Sequence, residues 1–184
     1  MNRFSRGLTL IELVVTVAVL VVLGAAAFPD MGEFIDRHRL VSQTHAIAEL
    51  AQTARSEATK RSAGGASELK SIAMTINPGS PWSIGLANGT AACSGSSCVI
   101  NQGGTNVPYA VTATQCSGCA MASPASQSVM VFDLRGLVTG AVAETAITLT
   151  SPRSKQLSVR ISRLGRISVC SPGGSVTGYP SCPT

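Results

Sequence analysis

The six cysteines of this 184-residue chain are the side chains that could take part in the most kinds of chemistry: disulfide formation, metal binding or redox catalysis. They fall in three close pairs: Cys93 and Cys98, Cys116 and Cys119, and Cys170 and Cys182. Close pairs in a domain outside the cytoplasm are typical of disulfides, and the charges at the N-terminus predict such a location. A zinc site is the alternative, because the first two pairs are loosely spaced like zinc-ribbon ligands. Of the 15 possible pairings, the sequence favours only Cys170 with Cys182, which would close a Pro- and Gly-rich tail.

No catalytic constellation is found in the sequence. Cys116 and Cys119 have the spacing of a redox motif, but no helical pattern follows that could lower a thiol pKa. His38 and His45 have no acid or thiol at a useful offset and are predicted to be surface or packing residues. Asp133, in Phe-Asp-Leu-Arg-Gly, is typical of a turn residue. The sequence therefore predicts a protein that is not an enzyme and that has no metal site and no cofactor.

The C-terminal part of the chain is basic. After Glu144 no acidic residue occurs, while several cations follow: Arg153, Lys155, Arg160, Arg163 and Arg166. Clustered cations without acids attract phosphate, so DNA binding is one hypothesis for this cluster. No aromatic residue is interleaved for base stacking, and the alternatives are a solvated basic face or contacts with another protein subunit.

A lone carboxylate, Glu12, lies within the apolar run from Leu8 to Phe28. The run has about 20 residues, the length of a membrane-spanning helix. A charge in lipid is costly and indicates a function, unless the side chain simply reaches the interface. Arg3 and Arg6 precede the run and predict that this end is cytoplasmic, with the remaining domain across the membrane. A cleaved secretory signal is the alternative, but its apolar region is usually shorter.

These residues must be positioned by one long helix and a set of strands. Pro29 is expected to kink or interrupt the helix, after which small and apolar residues recur at steps of three and four from Leu40 to Ala58. This pattern predicts an amphipathic helix whose alanine-lined face packs on a sheet. From Leu8 to about Arg61 the helix would measure roughly 80 Å.

The rest of the chain predicts short strands and loops. Residues 88–127 are interpreted as a long loop with weak strands near 99 and 107–112, and 171–184 as a coil tail. Alternating apolar residues predict strands in the following segments: 71–76, 82–86, 129–133, 137–139, 146–150, 156–161 and 167–170.

The stretch Arg6-Gly7-Leu8-Thr9-Leu10-Ile11-Glu12-Leu13 resembles the processing site of type IV pilins and type II secretion pseudopilins. The resemblance implies that a prepilin peptidase cleaves after Gly7 and N-methylates Leu8, where the family usually has phenylalanine. It also implies that Glu12 pairs with the N-terminal amine of a neighbouring subunit during assembly, and that Pro29 is the family's helix-kinking proline.

The distal half resembles one branch of this superfamily, the minor pseudopilins and minor pilins called GspH and FimT/FimU. Residues 64–127 align with nothing familiar. Three pieces carry the resemblance: Gln52-Thr53-Ala54-Arg55-Ser56-Glu57-Ala58, Val131-Phe132-Asp133-Leu134-Arg135-Gly136 and Ile161-Ser162-Arg163-Leu164-Gly165-Arg166-Ile167.

The resemblance implies an α+β, type IV pilin-like fold, in which a long N-terminal transmembrane and spine helix packs on a globular domain with an antiparallel β-sheet. The expected organisation is a cleaved leader (1–7), a transmembrane helix (8–28), an amphipathic spine helix (29–62) and a β-rich, disulfide-containing domain in the periplasm or outside the cell (63–184).

The function implied is that of a minor pilin or pseudopilin, a structural subunit assembled near the tip of a type IV pilus-like filament, where it primes assembly. Its partners would be other pilin subunits through the N-terminal helix, the prepilin peptidase and the inner-membrane assembly platform. It would cross the bacterial inner membrane once, with its C-terminal domain in the periplasm, and reach the filament or cell surface after assembly. The alternatives are a GspH-like pseudopilin of the type II secretion system and a DNA-binding minor pilin for DNA uptake.

Overall fold

The computed structural model describes residues 9–61, 71–102, 104–124, 129–139 and 144–183, and the side chains of 25–30 lie outside this description. The chain divides into two compact units, Met1–Ile35 and Asp36–Thr184. The predicted leader (1–7) and the predicted mature N-terminus, Leu8, lie outside the described residues.

Helix α1 spans Leu10–Lys60. It continues through Pro29, so the helix is not interrupted there, although a proline removes one helical hydrogen bond. In the first unit the large apolar side chains between Leu10 and Leu23 are at least half exposed. Among the described residues, no helix contains a stretch long and apolar enough to span a membrane.

The second unit adds β-strands to the C-terminal part of α1. In the described residues these strands, numbered β1 to β11 in chain order, are Ile72–Asn77, Ser83–Asn88, Val99–Gln102, Thr105–Pro108, Ala110–Thr112, Ala120–Ala122, Val129–Phe132, Val138–Thr139, Glu144–Thr150, Gln156–Ser162 and Ile167–Cys170.

The strands form three antiparallel sheets. One sheet has the order β5-β2-β1-β7-β8, the second β11-β10-β9-β6, and the third is the β3-β4 hairpin. In the second sheet β10 is central, with Val159 opposite Ile147 on β9 and Val169 on β11. The predicted α+β fold, a long N-terminal helix packed on antiparallel sheet structure, is confirmed.

The prediction that residues 88–127 are mostly loop was incomplete. Strands β3 to β6 all lie in this segment, and β6 extends the second sheet by pairing Met121 with Leu149. In β6, Met121 lies between Ala120 and Ala122, and so short a strand lacks the apolar alternation by which strands are recognised in a sequence.

The core of the second unit forms where α1 meets the sheets. The buried face of the helix includes Leu40, Ile47, Ala51, Ala54 and Ala58, each fully buried. Alanines let a helix backbone approach a sheet closely, because their side chains end at Cβ. The spacing of these residues is the one from which the amphipathic helix was predicted.

Three disulfides stabilise the second unit: Cys93–Cys98, Cys116–Cys119 and Cys170–Cys182. No cysteine is free, so the thiolates that a zinc site requires are not available in this structure. The presence of disulfides, predicted from the close cysteine pairs, is confirmed.

The C-terminal tail is attached to the rest of the second unit at several points. The backbone N–H of Ser171 donates to the carbonyl of Pro180 (2.8 Å). On α1, the guanidinium of Arg37 donates to the carbonyl of Thr177 (2.8 Å), and His45 Nε2 lies 2.7 Å from the Tyr179 hydroxyl. The tail is therefore an ordered part of the fold and not the simple coil that was predicted.

We expect the paired substitution Cys170→Ser and Cys182→Ser to lower the free energy of unfolding by about 3 kcal/mol, because the disulfide closes a loop with a sequence separation of 12. Urea denaturation of the full chain in detergent can be followed by the fluorescence of Trp82, the single tryptophan, which is buried. The matched control is the same pair of changes at Cys93 and Cys98, where the separation is 5 and about 2 kcal/mol is expected. An unchanged midpoint in the first variant would contradict the prediction.

Candidate functional site

The three sequence pieces that carry the family resemblance meet at one place in the second unit, which we call the junction. It comprises residues 52–59 of α1, the turn between β7 and β8 (133–136) and the turn between β10 and β11 (162–166). These segments are far apart in the sequence, and their meeting makes the junction the candidate functional site.

The first turn is built around Asp133. Its carboxylate Oδ1 accepts hydrogen bonds from the backbone N–H groups of Arg135 (2.9 Å) and Leu137 (2.8 Å). Gly136 follows with φ 71° and donates its N–H to the Asp133 carbonyl (2.9 Å). Asp133 is thus a turn residue, as predicted, and its carboxylate is occupied by backbone donors.

The second turn is built in a similar way. Gly165 has φ 70°, and its N–H donates to the carbonyl of Ser162 (2.9 Å). The N–H of Val138 on β8 donates to the carbonyl of Arg163 (2.9 Å). This last bond ties the second turn to β8 and so connects the two larger sheets.

Arg55 of α1 packs across both turns. A Cβ added to Gly136 would lie 2.9 Å from Arg55 Cγ, and one added to Gly165 would lie 3.1 Å from Arg55 Nε. The same Cβ on Gly165 would lie 2.1 Å from the carbonyl oxygen of Gly136. Only glycine fits at these two positions, because both need a positive φ and both backbones approach a neighbour closely.

The junction opens to solvent as a groove of about 610 Å³. It is lined by two arginines, by polar side chains from one face of α1 and by apolar residues in and after the second turn. These residues are Gln52, Arg55, Ser56, Thr59, Leu164, Gly165, Arg166 and Ile167. Arg55 was not among the predicted site residues. Its place in the first of the three family pieces was a signal in the sequence. Only the fold, however, shows that this piece lies next to the two turns.

The structure separates the cations that were predicted as one basic cluster. Arg153 Nε lies 3.1 Å from Asp36 Oδ2, and Arg160 Nε lies 2.7 Å from Glu144 Oε1. Arg160 also donates to the carbonyl of Pro183.

The other three predicted cations differ in exposure. Lys155 is half-buried just before β10, whereas Arg163 and Arg166 are exposed on the second turn. Only Arg163 and Arg166 of the predicted set therefore belong to the junction, where Arg55 joins them.

The acid beside the junction on α1 is already paired. Glu57 is buried, and its Oε1 accepts a hydrogen bond of 2.7 Å from Lys60 Nζ. This hydrogen bond and the negative charge of Glu57 raise the pKa of Lys60 above its usual value. Among the described residues, no group of three or more His, Cys, Asp or Glu side chains could hold a metal ion. The arginines of the junction are suited to binding an anionic group.

The predicted assembly residues of the first unit are described only in part. Glu12 is exposed in the first turn of α1, and its N–H donates to the Thr9 hydroxyl at 3.4 Å. Thr9 precedes the first helical residue, and its hydroxyl accepts from the N–H three positions later, as an N-cap side chain does. Sequence reasoning missed this capping role. Gly7 lies outside the described residues, as does the side chain of Pro29.

Comparisons with known proteins identify the same pieces. The prokaryotic N-terminal methylation motif matches residues 2–28, and the family of the type II transport protein GspH matches residues 43–165. The second match also covers the whole segment 64–127 that could not be aligned from the sequence alone. A comparison with curated proteins gives no significant match.

The fold is similar to that in the crystal structure of the type IV minor pilin FimU from Pseudomonas aeruginosa. The TM-score is 0.50 at 16% sequence identity, over 76% of this chain and 96% of that chain. At that identity the similarity concerns the fold alone.

We expect Gly165→Ala to lower the free energy of unfolding by about 2–4 kcal/mol, because the added Cβ meets the Gly136 carbonyl in a strained backbone conformation. Gly173→Ala is the matched control. Gly173 has a similar φ of 61°, but nothing lies within 4 Å of its Cβ position, so a loss of about 1 kcal/mol is expected. Urea denaturation followed by Trp82 fluorescence measures both, and equal losses would show that Gly136 and Gly165 are not in close contact.

Proposed function

The chain is a minor pilin or pseudopilin of the GspH family, and we propose that it is a structural subunit assembled near the tip of a type IV pilus-like filament, where it primes assembly. The observation that carries this proposal is the N-terminal methylation motif at the start of a helix whose large apolar side chains are exposed in the single chain. An apolar surface of this kind needs a cover, which lipid provides before assembly and neighbouring helices provide afterwards.

In this proposal a prepilin peptidase cleaves after Gly7 and methylates the new N-terminus at Leu8. Residues 8–28 then hold the subunit in the inner membrane until the assembly platform extracts it. The methylation motif implies a type IV pilin membrane anchor. Arg3 and Arg6 support a cytoplasmic N-terminus. The three disulfides support a periplasmic second unit, because disulfides form and persist in oxidising compartments.

Glu12 is proposed to pair with the N-terminal amine of a neighbouring subunit. It is exposed in the first turn of α1, close in sequence to the amine that cleavage would create. Its capping role uses the backbone N–H, so the carboxylate remains available to a neighbour. A carboxylate among apolar helices is stable only when it has such a partner.

The alternative system is type II secretion, in which the chain would be a GspH-like pseudopilin. The basic residues between 153 and 166 and the six cysteines favour the pilus. A deletion strain scored for twitching motility, DNA uptake and secretion of folded proteins separates the two systems. Loss of motility or DNA uptake would indicate the pilus, and loss of protein secretion would indicate type II secretion.

DNA capture is a further alternative that we do not favour. Arg153 and Arg160 form ion pairs with Asp36 and Glu144, so two of the five predicted cations are already neutralised. A phosphate-binding surface gains affinity from each cation it can offer. The two that remain exposed on the second turn, Arg163 and Arg166, make a small footprint for a nucleic acid.

We expect Glu12→Ala to reduce the amount of subunit in sheared filaments by about tenfold, the equivalent of about 1.4 kcal/mol, because it removes the proposed partner of the neighbouring amine. Thr9→Ala is the control: it removes the hydroxyl that caps the helix but leaves the carboxylate, and we expect nearly normal incorporation. Quantitative immunoblotting of sheared filaments and of membranes provides the measurement.

The mature N-terminus must be checked in the same samples. Mass spectrometry should find methylated Leu8 in the wild type and in both variants, since a failure of cleavage would also prevent incorporation. Normal incorporation of Glu12→Ala, with correct processing, would contradict the proposed role of this carboxylate.

A further inference from the structure

The surface around the groove combines an exposed apolar side chain with unpaired positive charge. In the described part of the second unit, Leu164 is the large hydrophobic residue that remains exposed, at 72%. It lies on the turn between β10 and β11, in the same turn as Arg163 and Arg166 and across the groove from Arg55. Leu164 therefore offers an apolar contact beside the charged groups of the groove.

The positive charge of this surface is not neutralised by the chain itself. Among the described residues, Arg55, Arg163 and Arg166 make no ion pair with an acid. The neighbouring acids already have partners: Glu57 binds Lys60, and Glu144 binds Arg160. The groove therefore presents guanidinium groups that can bind carboxylates, with two parallel hydrogen bonds each where the geometry allows.

The surface is also held in place before any partner arrives. The stem of Arg55 lies against the two glycine-containing turns. Both turns are closed by backbone hydrogen bonds, and the second is tied to β8 through Arg163. A preorganised site loses little conformational entropy on binding, which favours affinity.

We propose that this groove binds an acidic segment of a neighbouring, non-identical filament subunit. Carboxylates of that segment pair with Arg55 and Arg166, and an apolar side chain beside them covers Leu164. The inference rests on the proposed function, because it takes its partner from the same filament.

A second copy of this chain does not fit the groove. In the described part of the second unit, Asp36, Glu57 and Glu144 are ion-paired, and Asp133 accepts two backbone N–H groups. Glu49 is left as a single exposed carboxylate. The described surface of this unit therefore presents no acidic cluster that matches its own groove.

A nucleic acid is also a poorer fit than an acidic protein segment. Phosphates gain nothing from Leu164, and no aromatic residue lines the groove on which a base could stack.

The test is photocrosslinking in the native host, with the full chain expressed at its normal level. The photoreactive residue p-benzoylphenylalanine replaces Gln52, which is exposed and lines the groove. We expect a cross-link to a peptide that is rich in Asp and Glu and that belongs to another protein with an N-terminal methylation motif. Mass spectrometry of the cross-linked peptide identifies the subunit and the segment.

Charge variants make the test specific. We expect Arg166→Glu to reduce the cross-link by about tenfold and Arg166→Lys to reduce it less, because lysine keeps the charge but not the bidentate geometry. Arg39→Glu is the matched control, since Arg39 is exposed on α1 about four turns before Arg55, and its cross-link should stay near the wild-type level. Lysine substitutions in the acidic segment of the partner should restore the cross-link of Arg166→Glu. The urea midpoint from Trp82 fluorescence should be the same in all variants.

Several results would overturn the inference. These are a cross-link to nucleic acid, lipid or a second copy of this chain, a cross-linked peptide without carboxylates, no cross-link, or a cross-link that Arg166→Glu does not weaken. If the wild-type chain is present in sheared filaments when one of these occurs, only this inference fails. If the wild-type chain is absent from filaments, the proposed function fails and this inference fails with it.

Discussion

The packing of α1 on the sheets is the constraint on which the second unit depends. Ala51, Ala54 and Ala58 are fully buried on the helix face that makes this contact, and a larger side chain at any of them would push the helix away from the sheets. The stem of Arg55, next to Ala54, lies beside the two turns that bound the sheets. Gly136 and Gly165 follow from this packing, since a Cβ at either position would meet Arg55 or the neighbouring turn.

The regular elements could be predicted from the sequence because their apolar periodicity is strong. The helix face from Leu40 to Ala58 and the alternation in β9 and β10 are examples, and the methylation motif identified the family. The short strands between 88 and 127 could not all be predicted, because their apolar pattern is weak. Their pairing partners can also be distant in the sequence, as Leu149 is from Met121. The groove could not be predicted either. Arg55 and Arg166 are far apart in the sequence, and which arginines keep a free charge depends on Asp36 and Glu144, whose partners only the fold reveals.

The disulfides stabilise the segments of the second unit that bury little apolar surface. Residues 88–127 are rich in Gly, Ser, Thr and Ala, and such side chains bury too little apolar surface to offset the conformational entropy of an ordered segment. Two of the three disulfides lie in this segment, and its strands are short. The third disulfide fixes a tail that reaches back to α1 through Thr177 and Tyr179. Cross-links therefore occur where the sequence provides the least hydrophobic driving force.

The three pieces that identify the family have two roles, and these roles belong to different residues. Asp133, Gly136 and Gly165 satisfy backbone donors and allow close packing, so they hold the two turns of the fold in place. The guanidinium of Arg55 and the side chains of Leu164 and Arg166 face the groove, and none of them is needed to close a turn. The two turns thus depend on Asp133, Gly136 and Gly165, whereas the binding surface of the groove is made by other side chains of the same three pieces. A subunit can in this way keep the pilin fold and still differ from related subunits in what it binds.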